Sequence, residues 1–257
     1  MKNSLAVKPK NLIKQGQIWK LGEHRLLCGS SLDEKMVNAF LKGVTISSAV
    51  LDPPYGILYT ESKEGFSSVK KNKKILNDDI NTELEYTEFS RAWLSLMIPY
   101  LARKNSIYIF NSDKMLFALK KAVDEVDIHF SQLLIWVKNH AVIGRKDYLP
   151  QHELIVFGWY GTHSFHRSKD KSVLCYPKPN KSPFHPTTKP LPLIRHLILN
   201  STSIGDVIFD NFGGSGTTLI ASEQTKRRCY MIEYDPSYCQ TIIDRWEKIT
   251  GQKAELL

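Results

Sequence analysis

Two short segments carry residues whose types and spacing could do chemistry. The first is Asp52-Pro53-Pro54-Tyr55, directly after the apolar run at 48–51. Two prolines fix φ at both positions and remove two donors, so the turn is stiff and its carbonyls are free to accept. Such a turn suits an amino group, because the Asp52 carboxylate and the Pro53 carbonyl can each accept one of its hydrogens. Tyr55 adds a ring on which a flat base can stack. The alternative is a plain turn with no ligand. The second segment runs Val207-Ile208-Phe209-Asp210-Asn211-Phe212-Gly213-Gly214-Ser215-Gly216-Thr217-Thr218 and reads as strand, glycine turn and helix start. Glycines there admit positive φ and let a ligand approach backbone N–H groups. A ligand-free tight turn is again the alternative. No Gly-Lys-Ser/Thr ending is present, which sets a phosphate-binding P-loop aside. Leu219 stands where a dinucleotide fingerprint has its third glycine.

Two acids sharpen the second reading. Asp210 closes its strand, where a carboxylate can meet a ligand's ammonium group. Glu233 closes the next strand, at about the spacing where nucleotide-binding folds place a ribose-binding acid. Acids at the ends of adjacent strands, with glycines between them, suit a ligand that has an amino acid moiety and a ribose. S-adenosylmethionine has both.

The elements that must position these segments are legible in outline. Strands are expected at 17–21, 24–28 and 47–51, with a helix from a Ser31-Leu32-Asp33-Glu34 capping box to about Lys42. A second capping box, Thr82-Glu83-Leu84-Glu85, opens a helix expected to reach about Arg103. Strand 106–110, a helix capped by Ser112, and strands 129–137 and 153–159 follow. Helices at 191–201 and 215–224 flank strands 207–210 and 229–233. Asp235 and Pro236 start a last helix that stops before Gly251. This alternation predicts an α/β fold, mostly parallel, with helices on both faces of one sheet. Such sheets bind ligands beyond the carboxyl ends of their strands, at the topological switch point. The segments 59–80 and 160–185 are aperiodic, and the first is expected to be a mobile loop.

At 257 residues the chain suffices for a single domain with a small recognition region. No apolar stretch spans a bilayer, and the start MKNSLAVKPKNLIK lacks the apolar core of a secretory signal. A cytoplasmic protein without membrane contact is therefore expected. Cys28, Cys175, Cys229 and Cys239 form no C-x-x-C pair, so structural thiols are expected and no metal site. The net charge of +9 favours a polyanionic partner. Lys63, Lys70, Lys71, Lys73 and Lys74 cluster in one segment; Arg167, Lys169, Lys171, Lys178 and Lys181 cluster in another. Two such clusters suit phosphate contacts if they share a face.

Together the two motifs resemble the DNA amino-methyltransferases of the permuted β class. There the DPPY motif comes first, the target-recognition region follows, and the F-x-G-x-G cofactor motif, here Phe212-Gly213-Gly214-Ser215-Gly216, comes last. The resemblance extends over nearly the whole chain. Gly16-Gln17-Ile18-Trp19 and Leu21 to Gly29 are similar to the family's opening hairpin. His185-Pro186-Thr187-Thr188-Lys189-Pro190 resembles its H-P-T-x-K-P cofactor motif, and Glu233 to Tyr238, then Arg245-Trp246, its closing segment. One departure stands out: the family usually has Gly-Asp where this chain has Gly29-Ser30, and that acid helps to hold the cofactor's adenosine end.

The resemblance implies a Rossmann-like methyltransferase sheet, S-adenosylmethionine as cofactor, and double-stranded DNA as substrate; it is compatible with a homodimer. The implied cofactor contacts are Asp210, the 212–216 turn, Glu233, His185, Thr188, Lys189 and Ser30, with the methionine end near Asp210, Thr188 and Lys189. Asp52, Pro53, Pro54 and Tyr55 are the implied catalytic group, acting on a flipped base. Adenine N6 is favoured over cytosine N4 because the motif begins with Asp52. Target recognition is expected within 138–184, with Arg145, Lys146 and Arg167 joining Lys70, Lys71, Lys73 and Lys74 as DNA contacts. Asp147, His152 and Glu153 are read as structural. The competing readings are a cytosine N4 enzyme, an RNA or protein amide methyltransferase, for which Asn would more often open the motif, and a DNA-binding protein with a degenerate site.

Overall fold

In the computed structural model of the protein, the residues described are 13–55, 80, 82–141, 147–166, 169–178 and 188–257. The chain opens with a hairpin of β1 (Ile18–Leu21) and β2 (His24–Cys28), then α1 (Glu34–Leu41) and β3 (Ile46–Leu51). Next come α2 (Glu83–Met97), β4 (Leu101–Asn111), α3 (Leu116–Glu125), β5 (Ile128–Val137) and β6 (His152–Tyr160). Two short strands, β7 (Thr162–His163) and β8 (Val173–Cys175), lie in the stretch that reads as aperiodic. The chain continues with α4 (Leu191–Ser201), β9 (Val207–Asp210) and α5 (Thr217–Thr225). It closes with β10 (Arg228–Glu233), α6 (Pro236–Thr250) and β11 (Glu255–Leu256).

One eleven-stranded sheet runs β11-β1-β2-β10-β9-β3-β4-β6-β5-β8, with β7 beside β4. The five strands from β2 to β4 are mutually parallel. β6 returns antiparallel against both β4 and β5. The central strands are buried on both faces, which is why β3 and β9 read as near-continuous apolar runs. Alternate residues sort onto the two faces with the period of two that a strand imposes. Ala49, Leu51, Ile107, Ile109 and Phe209 pack with α1, α2 and α3 through Phe40, Tyr86, Trp93 and Leu119. On the opposite face Val50, Tyr108, Phe110 and Ile208 meet Leu193, Ile194, Leu197 and Ile198 of α4. There too, α5 and α6 cover β1, β2 and β10 through Leu219, Ile220, Ile242 and Trp246. The α/β expectation therefore holds, with helices on both faces.

Several local signals act as expected. Thr82 and Glu85 form the capping box, with the Glu85 amide 3.2 Å from Thr82 Oγ1 and the Thr82 amide 3.1 Å from Glu85 Oε2. Asp235 caps α6 from 2.7 Å, and Gly251 ends it at φ +73°. Others differ. α1 is capped by Asp33, which accepts from the Met36 amide at 3.0 Å, and not by Ser31. α3 begins at Leu116, later than Ser112 suggests. The second helix ends at Met97 instead of about Arg103. Pro99 lacks the N–H that the next turn needs and crowds the carbonyl four residues back, so Ile98–Tyr100 tighten into a 3-10 turn and β4 begins. Among the described residues no helix is long and apolar enough to cross a membrane.

Candidate active site

The carboxyl ends of β2, β10, β9, β3 and β4 share one edge of the sheet. β3 and β9 are neighbours, yet β3 leads through α2 to β4 on one side and β9 leads through α5 to β10 on the other. This is the topological switch point, where the connections diverge and leave a crevice. Asp52 follows β3, and Asp210 closes β9. The crevice between them is an open cleft of about 380 Å³, lined in part by Asp52, Phe110, Thr188, Lys189, Asp210, the 212–215 turn, Thr217 and Thr218.

The glycine turn is shaped by close packing. A Cβ on Gly213 would lie 2.8 Å from Met231 Cγ and Sδ and 3.3 Å from Glu233 Cβ, so only glycine lets the turn approach β10 this closely. Gly216 caps α5 at φ +79°, and a Cβ there would sit 2.9 Å from Ile242. Gly216→Ala is therefore expected to cost roughly 2–4 kcal/mol of stability, from left-handed backbone strain and overpacking together. Urea unfolding measures it, and a loss under 1 kcal/mol would contradict this account of the turn. Phe212 anchors the turn into the core, with its ring centroid 5.4 Å from that of Trp93, edge to face. Ser215 is held from behind: Arg245 Nη1 donates to its carbonyl and also, at 3.2 Å, to its Oγ. Thr188 Oγ1 lies 3.3 Å from Ser215 Oγ across the cleft.

Of the two acids expected to meet a ligand, Asp210 is buried and Glu233 half-buried, and neither has a cationic partner among the described residues. Burial pushes the Asp210 carboxyl up to about 7, against the stabilising bonds from Thr218 and from the Phe212 amide at 3.0 Å. Burial likewise raises Glu233 to about 7, although it accepts from the Gly214 amide at 2.6 Å and the Asp235 amide at 2.7 Å. Asp210 faces the cleft. Glu233 stands behind the turn, fastening it to β10, and is not among the residues lining the cleft. Ser30 lies beyond β2 at the same edge, next to Glu233, whose carbonyl accepts from the Gly29 amide at 2.9 Å. Ser30 Oγ accepts from the Leu32 amide at 3.2 Å.

On the other wall, Asp52 is the centre of a charged network. Its Oδ1 accepts from Tyr55 Oη at 2.7 Å and from Lys189 Nζ at 2.8 Å. Lys189 also reaches Glu153 Oε2 at 3.0 Å, and Lys138 reaches Glu153 Oε1 at 2.8 Å. Lys189 Nζ donates to Tyr55 Oη at 3.0 Å and lies 5.3 and 5.0 Å from the Tyr55 and Phe110 ring centroids. Lys189 and Lys138 are only 7% and 5% exposed, so their charges depend on these partners. Burial favours a neutral amine at Lys189, but the two carboxylates prevail and hold it as an ammonium above its usual range. Burial alone would raise Glu153; Lys189 and Lys138 reverse that and bring it to about 2. Burial raises Asp52, with Lys189 opposing and Glu153 adding to the rise. Burial and Asp52 push the Tyr55 phenol well above its usual value, so it acts as a donor.

Asp52 through Tyr55, Thr188, Lys189, Asp210 and the 212–216 turn are thus brought together. Lys189, expected at the methionine end of a cofactor, lies on the cleft wall with its ammonium on Asp52 and Glu153. Glu153, read as structural, joins this network through its ion pairs with Lys189 and Lys138, and neither it nor Lys138 lines the cleft. In the sequence Glu153 shows only as a charge near the start of a largely apolar strand, HELIVFGWY, which does not reveal its partners. Lys70, Lys71, Lys73, Lys74, Arg145, Lys146, Arg167 and His185 lie outside the described residues, as does all of the 59–80 segment except Ile80.

An acid-led turn and a glycine turn facing each other at a switch point match what the sequence comparison finds. Residues 46–244 match the N6/N4 methyltransferase family, described as DNA methylase. The chain belongs to this family of DNA methylases. This methylase is 24% identical over 249 residues to the Type II methyltransferase M.HpaI of Haemophilus parainfluenzae, covering 87% of this chain and 74% of that one. Its fold is that of the M1.HpyAVI–SAM complex, with a TM-score of 0.63 and 22% identity, over 86% of this chain and 98% of that one. The PvuII DNA methyltransferase, described as cytosine-N4-specific, shares the fold with a TM-score of 0.66 and 17% identity, over 88% and 89% of the two chains.

Proposed function

We propose that this methylase transfers a methyl group from S-adenosylmethionine to the exocyclic amino group of a base flipped out of double-stranded DNA, and that the base is adenine, methylated at N6. The observation that carries the reading is the placement of Asp52. Its carboxylate is fixed by Tyr55 and Lys189 and faces, across one cleft, the glycine turn and Asp210.

The cleft residues fit this cofactor. Asp210 offers a buried carboxylate for an ammonium group, and Thr188, Ser215, Thr217 and Thr218 supply hydroxyls around it. When bound, S-adenosylmethionine supplies an electrophilic methyl group on a sulfonium. All else falls to side chains and backbone of this chain. Asp52 and the Pro53 carbonyl accept the two hydrogens of the target amino group, which points its lone pair at the methyl. Asp52 is fit for this because burial raises its carboxyl and so strengthens it as an acceptor. Tyr55 presents its ring to the base while its hydroxyl holds Asp52. The catalytic advantage is orientation, and no covalent enzyme intermediate is involved.

Adenine is preferred because the turn begins with Asp52, which resembles the N6 branch of the family. Lys70, Lys71, Lys73, Lys74, Arg145, Lys146 and Arg167 are proposed as contacts to the DNA backbone and bases. Tyr148, 92% exposed, carries an aromatic ring on the same 138–152 connection. Incubation of the purified protein with methyl-labelled S-adenosylmethionine and unmethylated plasmid DNA, then digestion to nucleosides, tests the proposal. Label in N6-methyldeoxyadenosine is the expected result. Label in N4-methyldeoxycytidine overturns the base assignment, and label only with RNA or protein substrates overturns the DNA reading.

A further inference from the structure

Glu153 stands where the fold brings a strand's beginning, not its end, to the site. β6 runs antiparallel to β4, with Leu154 opposite Asn111, so the start of β6 reaches the edge where Asp52 and Asp210 lie. Lys138, just past β5, meets Glu153 there and shares a backbone hydrogen bond with Gln151 at 2.8 Å. The pair therefore clasps both ends of the 138–152 connection.

The charges facing Lys189 are Asp52, after β3, and Glu153, on β6; Lys138 lies beyond Glu153, and Asp210, on β9, acts on Asp52 from the far wall. Two ammoniums and two carboxylates balance. Yet Lys189 and Tyr55 both hold Asp52 by the same oxygen, Oδ1, and so fix the carboxylate's orientation before an amino group arrives. An ammonium released there into so buried a place needs another anion at once. Glu153 Oε2 is already 3.0 Å from it.

Resting on the proposed transfer to a base amino group, we propose that Glu153 is a positioning residue that takes Lys189 over from Asp52 as the target amino group arrives. Lys189 keeps Asp52 ionised and oriented while the cleft lacks a base. Glu153 then holds the lysine as Asp52 turns to the substrate. Lys138 fixes Glu153 by its other oxygen, so the acceptor does not follow the lysine.

Without Glu153, Lys189 has Asp52 as its sole carboxylate partner among the described residues and competes with the substrate for it. Glu153→Gln is therefore expected to lower kcat on unmethylated plasmid DNA by about 10- to 100-fold, with affinity for S-adenosylmethionine within about threefold of wild type. Glu153→Asp, which keeps the charge with a shorter reach, is expected to lose about three- to fivefold. Lys189→Met removes a group that holds Asp52 and is expected to lower kcat on its own, by about tenfold or more. The decisive variant joins the two: in the Lys189→Met background, Glu153→Gln should change kcat by less than about twofold. A structural role for Glu153 predicts instead the same loss in both backgrounds, and that result overturns the proposal. So does a Glu153→Gln protein as active as wild type. Should Glu153→Gln fail to fold, the same cycle is run with Glu153→Asp, whose smaller loss must likewise vanish without Lys189. A wild-type protein that transfers no methyl to DNA refutes the proposed function; an active wild type with additive losses refutes only the handover.

Discussion

Replacing Asp52 with alanine will lower methyl transfer at least a thousandfold while leaving affinity for S-adenosylmethionine within a few-fold of wild type. A thousandfold corresponds to about 4 kcal/mol of transition-state free energy. That size is reasonable for the loss of the group that orients the attacking nitrogen. Of the cofactor's expected contacts only Lys189 bonds to Asp52, at 2.8 Å, and those on the turn between β9 and α5 lie on the other wall. Nor should the fold fail. Lys189 keeps Glu153 as a partner at 3.0 Å, so the substitution leaves no buried ammonium alone. Single-turnover transfer and calorimetric titration separate the two quantities. A parallel fall of both by the same factor would remove Asp52 from the catalytic role.

Asp210→Asn should weaken the cofactor and strengthen the ligand-free fold at once. In the folded chain burial sets the Asp210 carboxyl at about 7, whereas an unfolded aspartate titrates near 4. Below the unfolded value both states hold the proton and nothing is lost. Between the two values the unfolded chain has released a proton that the folded one keeps, so stability declines as pH rises and its loss is complete above about 7. The gap sets a ceiling of roughly 4 kcal/mol. Asparagine is never charged, and its side-chain oxygen can still accept from the Phe212 amide. Asp210→Asn should therefore raise Tm at pH 8 and hardly change it at pH 4. Glu233 also titrates at about 7, so part of the wild-type pH dependence will remain in the variant. For the cofactor the direction reverses. A carboxylate that meets an ammonium must be ionised, so wild-type affinity should weaken as pH falls below about 7. At pH 8 the variant should bind roughly 10- to 100-fold more weakly, as expected for a lost hydrogen bond between charged groups. Equal Tm values at pH 8, or unchanged affinity, would show that Asp210 does not carry an uncompensated charge into this cleft.

How far the site is legible in the sequence depends on how local its parts are. Asp52 and Asp210 each end a short apolar strand and precede a turn of special residues, so type and position are fixed within a few residues of chain. Gly213 and Gly216 are legible for the same reason, although the contacts that demand glycine, with Met231 and Ile242, belong to the tertiary structure. Glu153 and Lys138 are not legible, because their place in the charged network follows from the antiparallel return of β6, and periodicity does not encode strand order. Lys189 is found by its motif, but its partners come from β6 and the end of β3, which no local pattern joins. Glu233 is correctly placed at a strand end; that its carboxylate fastens the glycine turn emerges only from the hydrogen bonds of Gly214 and Asp235. The helix expected to reach Arg103 ends at Met97, because one proline outweighs an apolar period that continues past it.

Sequencing of genomic DNA with modified-base detection, from cells expressing this chain and from cells expressing its Asp52→Ala variant, tests the central claim most directly. N6-methyladenine at one sequence motif, present with the wild type and absent with the variant, is the predicted result. The same modification in both samples, or no modification in either, would contradict the claim that Asp52 orients a DNA amino group for methylation.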